Sequence, residues 1–105
     1  MTKIFRSQMV LAVAVSLASA VCFAQSSGEA TYKAKCQMCH GATGTPSAGM
    51  AKAMGIKAST DPAIKALTEA QMAAAVKDGK GKMKPIAGLT DAQIKDVVMF
   101  YRGLK

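Results

Sequence analysis

The segment Cys36-Gln37-Met38-Cys39-His40 restricts what this chain can become more than any other. Two thiols three residues apart on a turn of helix reach the two vinyl groups along one side of a porphyrin. The residue that follows is then delivered beneath the metal. A histidine fixed there supplies an axial nitrogen without first having to find the iron. C-x-x-C-H is accordingly the pattern of covalent haem attachment. Two other readings of the cysteines compete with it. A redox dithiol belongs in a βαβ setting, and no such pattern is visible. A structural zinc takes four protein ligands. His40 is the sole histidine, and the third cysteine, Cys22, stands far upstream.

Cys22 lies in a segment that reads as an export signal. Lys3 and Arg6 precede an uncharged, largely apolar run from Met9 to Ala24, with small residues at its end. That order describes a secretory signal peptide. At 16 residues the run is also shorter than the 18 or more of a spanning helix. Cleavage is expected after Ala24 or after Ala20, so residues 1–24 are assigned to the signal and 25–105 to one domain. A lipidated Cys22 would be preceded by Val21, where lipidation sites favour a small residue. The product is expected outside the cytoplasm, in a bacterial periplasm, with no stable membrane insertion after cleavage. Residues 25–105 keep twelve basic and six acidic side chains, a net charge of +6. They hold no tryptophan and many alanines. A domain of this size is marginal without a staple, a metal or a cofactor. Cys36 and Cys39 are too close to staple anything, which again points to a cofactor.

Helix signals punctuate the domain, and no segment sustains the alternation of a strand. Ser26 and Glu29 form a capping box before a helix over 26–37. Residues 43–47 read as a loop and 49–54 as a brief helical turn. Asp61-Pro62 places proline at a first helical position. Thr68 with Gln71 is a second capping box, opening a helix that Gly79 ends after Asp78. Thr90 with Gln93 is a third. The helix after it carries an apolar stripe of Ile94, Val97, Val98, Tyr101 and Leu104, with Phe100 at its edge. The fold class read from these elements is all-α.

With one histidine, the second axial ligand must be sought elsewhere. Methionines on helix stripes are more often core than ligand. Met72 stands four before Val76, Met99 lies off its stripe, and Met38 sits inside the attachment motif. Met50 and Met54, at i and i+4, read as the lining of a pocket. Met83 is different. It stands 43 residues after His40 in Gly79-Lys80-Gly81-Lys82-Met83-Lys84-Pro85, a loop without helical period. Backbone of that kind can be drawn close to a flat ligand, and Pro85 stiffens it.

Taken together, residues 25–105 resemble a class I cytochrome c from end to end. The family carries its haem motif near the N-terminus and a methionine ligand in a loop before the last helix. Gly28 and Tyr32 match its glycine and aromatic at an N-terminal to C-terminal helix crossing, and Val97 and Phe100 match their partners there. Pro46 resembles the proline whose carbonyl accepts a hydrogen bond from the proximal histidine. Lys84 stands between Met83 and Pro85, where many relatives run Met-Pro directly. The resemblance implies about four short helices wrapped around one covalently bound haem c, with Cys36 and Cys39 as thioether donors. It implies His40 and Met83 as the ligands of its iron. The function implied is one-electron transfer in a respiratory or other periplasmic chain, by a monomer. A small subunit of an oxidoreductase complex would show the same features. A haem enzyme or gas sensor with an open sixth position is the alternative, and Met83 separates the two. Lys77, Lys80, Lys82 and Lys84 surround the loop that in the family lies beside the exposed haem edge. They suit redox partners with acidic docking surfaces, since focused fields raise encounter rates and fade with salt. Aromatic–basic interleaving is lacking, so nucleic acid is not expected as a partner.

Overall fold

A computed structural model of the chain describes residues 27–105. The expected signal peptide, its cleavage sites, Cys22 and the Ser26 cap lie outside these residues. The described part is helical. Residues 27–35 form α1, followed by α2 (Gln37–His40), α3 (Ala48–Met54), α4 (Pro62–Lys65), α5 (Glu69–Asp78) and α6 (Asp91–Arg102). α2 resumes α1 after a turn at Cys36, and α4 is a single turn. Four helices therefore exceed one turn, as the sequence leads one to expect. Among the described residues the only β pairing is an isolated bridge between Lys80 and Met83.

Local chemistry accounts for the helix ends. The Thr68 hydroxyl accepts from Gln71 N–H at 3.1 Å, and the Gln71 side chain accepts from Thr68 N–H at 2.8 Å. Thr90 and Gln93 repeat the arrangement at the start of α6. Such reciprocal boxes satisfy two amide donors that a helix start would leave unpaired. Asp61 accepts from Ala63 N–H at 2.9 Å, with Pro62 in the first turn. Ser47 caps α3, which Gly55 ends in the left-handed conformation. α3 thus runs over seven residues and is fuller than the brief turn its sequence suggests.

The apolar stripe of α6 faces inward. Ile94 and Val98 pack with Met72 and Val76 of α5 to form the core. Ile64, Leu67, Met83, Ile86, Leu89 and Tyr101 surround it, partly buried. Val97, farther round the same stripe, and Tyr32 of α1 are 2% and 1% exposed. α1 crosses α6 there. A Cβ on Gly28 would overlap the Asp96 carbonyl and sit 3.0 Å from the Phe100 Cβ, so a larger residue would push the helices apart. The Tyr32 and Phe100 rings meet at 5.3 Å. Phe100 itself is half-buried.

Candidate functional site

The cysteine–histidine segment is one tight helical turn. Cys36 N–H donates to the Tyr32 carbonyl at 2.9 Å, ending α1. Cys39 and His40 N–H both donate to the Cys36 carbonyl, at 3.2 and 3.0 Å. Both thiols are therefore presented from a single turn. They are free and half-buried. Burial pushes the Cys36 thiol up, and neighbouring Cys39 adds to the effect. The His40 ring meets Tyr101 edge-on at 5.5 Å. Its desolvation lowers the imidazole pKa and favours the neutral, ligating form.

A short loop leaves this turn. Gly41 and Gly44 both take φ near +81°, where a side chain would be strained. The Tyr32 hydroxyl donates to the Gly41 carbonyl, fastening the loop to the α1–α6 crossing. Burial, and then the proximity of Tyr101, push the Tyr32 pKa up to about 12. The expected role of Pro46 is not borne out. His40 Nδ1 is buried and has no hydrogen-bond partner among the described residues. At Gly41 the Thr45 carbonyl comes so near that an added Cβ would overlap it. The strand of loop leading to Pro46 is thereby folded back on the glycine.

Met83 closes a tight turn of its own. Lys80 N–H donates to the Met83 carbonyl at 2.9 Å, and Met83 N–H to the Lys80 carbonyl at 3.0 Å. Gly81, at φ 59°, stands where such a turn needs positive φ. At Gly79 a Cβ would lie 2.8 Å from the Met83 carbonyl oxygen and 2.9 Å from Pro85 Cδ. Downstream, Ile86 N–H donates to the Val76 carbonyl at 2.9 Å. The Met83 side chain packs on the α5–α6 core, as does Tyr101, whose ring touches His40. Met83 thus lies on the same apolar cluster as Tyr101, and His40 reaches that cluster through the Tyr101 ring. Met72 is core, Met38 is 90% and Met99 40% exposed, and Met50 and Met54 are half-buried on α3.

These residues fit a covalently held haem. Two half-buried thiols share a turn with a half-buried histidine whose desolvation favours the neutral form, and Tyr101 beside it packs on an apolar cluster. Among α2–α6, only α5 and α6 pack extensively on each other, so a large apolar group beside α3 would supply contact that the helices do not. Residues 23–100 match the family model described as cytochrome c oxidase, cbb3-type, subunit III. The chain belongs to this family. It is a c-type cytochrome of the class I kind, all-α, with covalently bound haem c and its iron as the cofactor of electron transfer. Among solved structures it is similar to the KustC0563 c-type cytochrome, with 26% identity and a TM-score of 0.66. That likeness covers 74% of this chain and 96% of the other. No curated protein matches. Cytochromes of this type are typically exported and work with redox partners, and the family is generally one of electron transfer rather than enzymes. No described helix of the cytochrome is long and apolar enough to cross a membrane.

Two contacts at the site escape sequence reading. Tyr101 belongs to the α6 stripe, and nothing in its periodicity says that its edge meets His40. Lys82 donates to the Ala53 carbonyl of α3 at 2.9 Å, across 29 residues, where its sequence suggests only a surface cation.

Proposed function

We propose that the cytochrome is a one-electron carrier of a respiratory or other periplasmic electron-transfer chain, exported and holding one haem. Cys36 and Cys39 form the thioethers, His40 supplies the proximal nitrogen and Met83 the distal sulfur. Such a haem supplies an iron that cycles between ferric and ferrous states. A neutral methionine ligand raises the potential. The protein's part is to hold both axial donors ready and leave no position for substrate. The observation that carries the reading is the placement of Met83. It sits on a doubly hydrogen-bonded turn against the cluster on which Tyr101, the aromatic neighbour of His40, also packs. The oxidised protein is expected to show the weak far-red band of sulfur-to-iron charge transfer. Met83→Ala should abolish the band, while Met99→Ala should keep it. A band that survives Met83→Ala would remove Met83 from the iron.

The carrier reading extends to partners. Lys80 and Lys84 are exposed, and their side chains make no hydrogen bond or ion pair among the described residues. Lys77 makes only a long contact of 3.8 Å to exposed Asp91. These cations beside the Met83 turn suit a monomer that docks acidic redox proteins transiently. Replacing Lys80 and Lys84 with glutamine should slow electron transfer to an acidic partner at low salt and flatten its salt dependence. Stopped-flow rates unchanged at low ionic strength would exclude these lysines from docking.

A further inference from the structure

Lys82 stands apart from the other lysines of its loop because its ammonium is already engaged. Nζ lies 2.9 Å from the carbonyl oxygen of Ala53. Ala53 is the next-to-last residue of α3, so its carbonyl is among those a helix end leaves without an intrahelical partner. The Gly55 N–H caps Ala51 instead. A cation at that position meets both an unpaired acceptor and the negative end of the helix. The other end of the contact is equally defined. Lys82 is a central residue of the turn closed by the two Lys80–Met83 hydrogen bonds, and Met83 is its immediate neighbour. A restraint on Lys82 is therefore carried to Met83 through one peptide unit of a tight turn.

The rest of the turn is held from the other side. Ile86 binds the Val76 carbonyl of α5, and the Met83 side chain rests on the α5–α6 core. Neither contact reaches α3. Among the described residues Lys82 makes the hydrogen bond that joins the Met83 turn to α3, the helix that bears Met50 and Met54. α3 has no extensive packing with another of α2–α6, so a bond from the Met83 turn gives it a direct link that helix packing does not.

We infer that Lys82 is a positioning residue for Met83: its bond to Ala53 latches the ligand turn onto α3 and resists withdrawal of the sulfur from the iron. The inference rests on the reading of Met83 as the distal ligand. It divides the lysines by task, with Lys82 as the latch and Lys80 and Lys84 left for partners.

The test uses the ferric holoprotein and imidazole, a neutral ligand that enters only where the sulfur has left. Affinity is read from the visible spectrum in wild type, Lys82→Met, Lys82→Arg and Lys84→Met. Lys82→Met should bind imidazole about three- to tenfold more tightly, the worth of one partly exposed charge-assisted hydrogen bond. Lys82→Arg, which can still donate to Ala53, should return close to wild type, and Lys84→Met should match wild type. An equal gain in Lys82→Met and Lys84→Met would mean a general effect of charge and would overturn the latch. So would a Lys82→Met protein that shows the wild-type far-red band and binds imidazole no more tightly. A wild type that lacks the band sinks the ligand reading, and the latch with it.

Discussion

Tyr32 is a single residue with three attachments. Its ring lies against Phe100 and Tyr101, and its hydroxyl donates to the Gly41 carbonyl beside the Cys36–His40 turn. Removing the hydroxyl should therefore be felt, and felt differently at different pH. Burial holds the Tyr32 pKa up at about 12 in the folded protein, against 10.0 for a free side chain. A raised pKa means that the folded state keeps its proton while the unfolded chain gives it up. The stability so contributed is whole below pH 10 and is lost as pH climbs toward 12. Tyr32→Phe should cost about 1 kcal/mol at pH 7 through the lost hydrogen bond. The difference from wild type should nearly vanish at pH 11, where wild type forfeits about 1 kcal/mol. Denaturant titrations at the two pH values measure this. A difference of equal size at both would mean that the hydroxyl titrates normally. At this scale the sharing of one turn by Cys36, Cys39 and His40 was legible, since it follows from their spacing. The unpaired His40 Nδ1 was not, because it depends on how the Gly41–Thr45 loop folds back.

The crossing of α1 and α6 is an element-scale contact that hinges on one missing side chain. In an isolated helix, alanine is favoured over glycine by about 0.8–1.0 kcal/mol. At Gly28 the sign should reverse, because the new methyl meets the Asp96 carbonyl, and a backbone cannot swing aside. Overpacking of this kind costs about 1–3 kcal/mol, so Gly28→Ala should lower stability in a guanidinium titration. A stabilised variant would mean that the helices do not approach there. The elements themselves were largely readable, because their boundaries are set locally. Thr68, Thr90, Asp61 and the Gly79 stop all do in the structure what their side chains and positions suggest. The stripe of α6 predicted which face is buried. It did not tell that Phe100, at the stripe's edge, would remain half-exposed, or that α2 would carry the helix on to His40. Nor could any local signal connect Lys82 with Ala53, since that bond exists only once the Met83 turn and α3 are side by side.

For the whole molecule, the small core and the cofactor are one matter. Among the described residues four buried side chains, Met72, Val76, Ile94 and Val98, make the α5–α6 cluster, and Tyr32 with Phe100 makes the crossing. With so little apolar interior among the described residues, the fold gains stability from any large group they can enclose, and ligation energy then becomes folding energy. The same enclosure defines the activity. If His40 and Met83 occupy the two faces of one covalent haem, the protein can pass electrons through the haem edge but offers the iron to nothing else. The exposed lysines beside the Met83 turn then face partners rather than substrates. Carbon monoxide reads this directly, since it binds ferrous iron wherever an axial position is open. The reduced holoprotein at neutral pH should keep an unchanged visible spectrum under carbon monoxide, while Met83→Ala should shift at once. A wild type that takes up carbon monoxide as readily as that variant would contradict the account and make this cytochrome a ligand-binding haem protein instead.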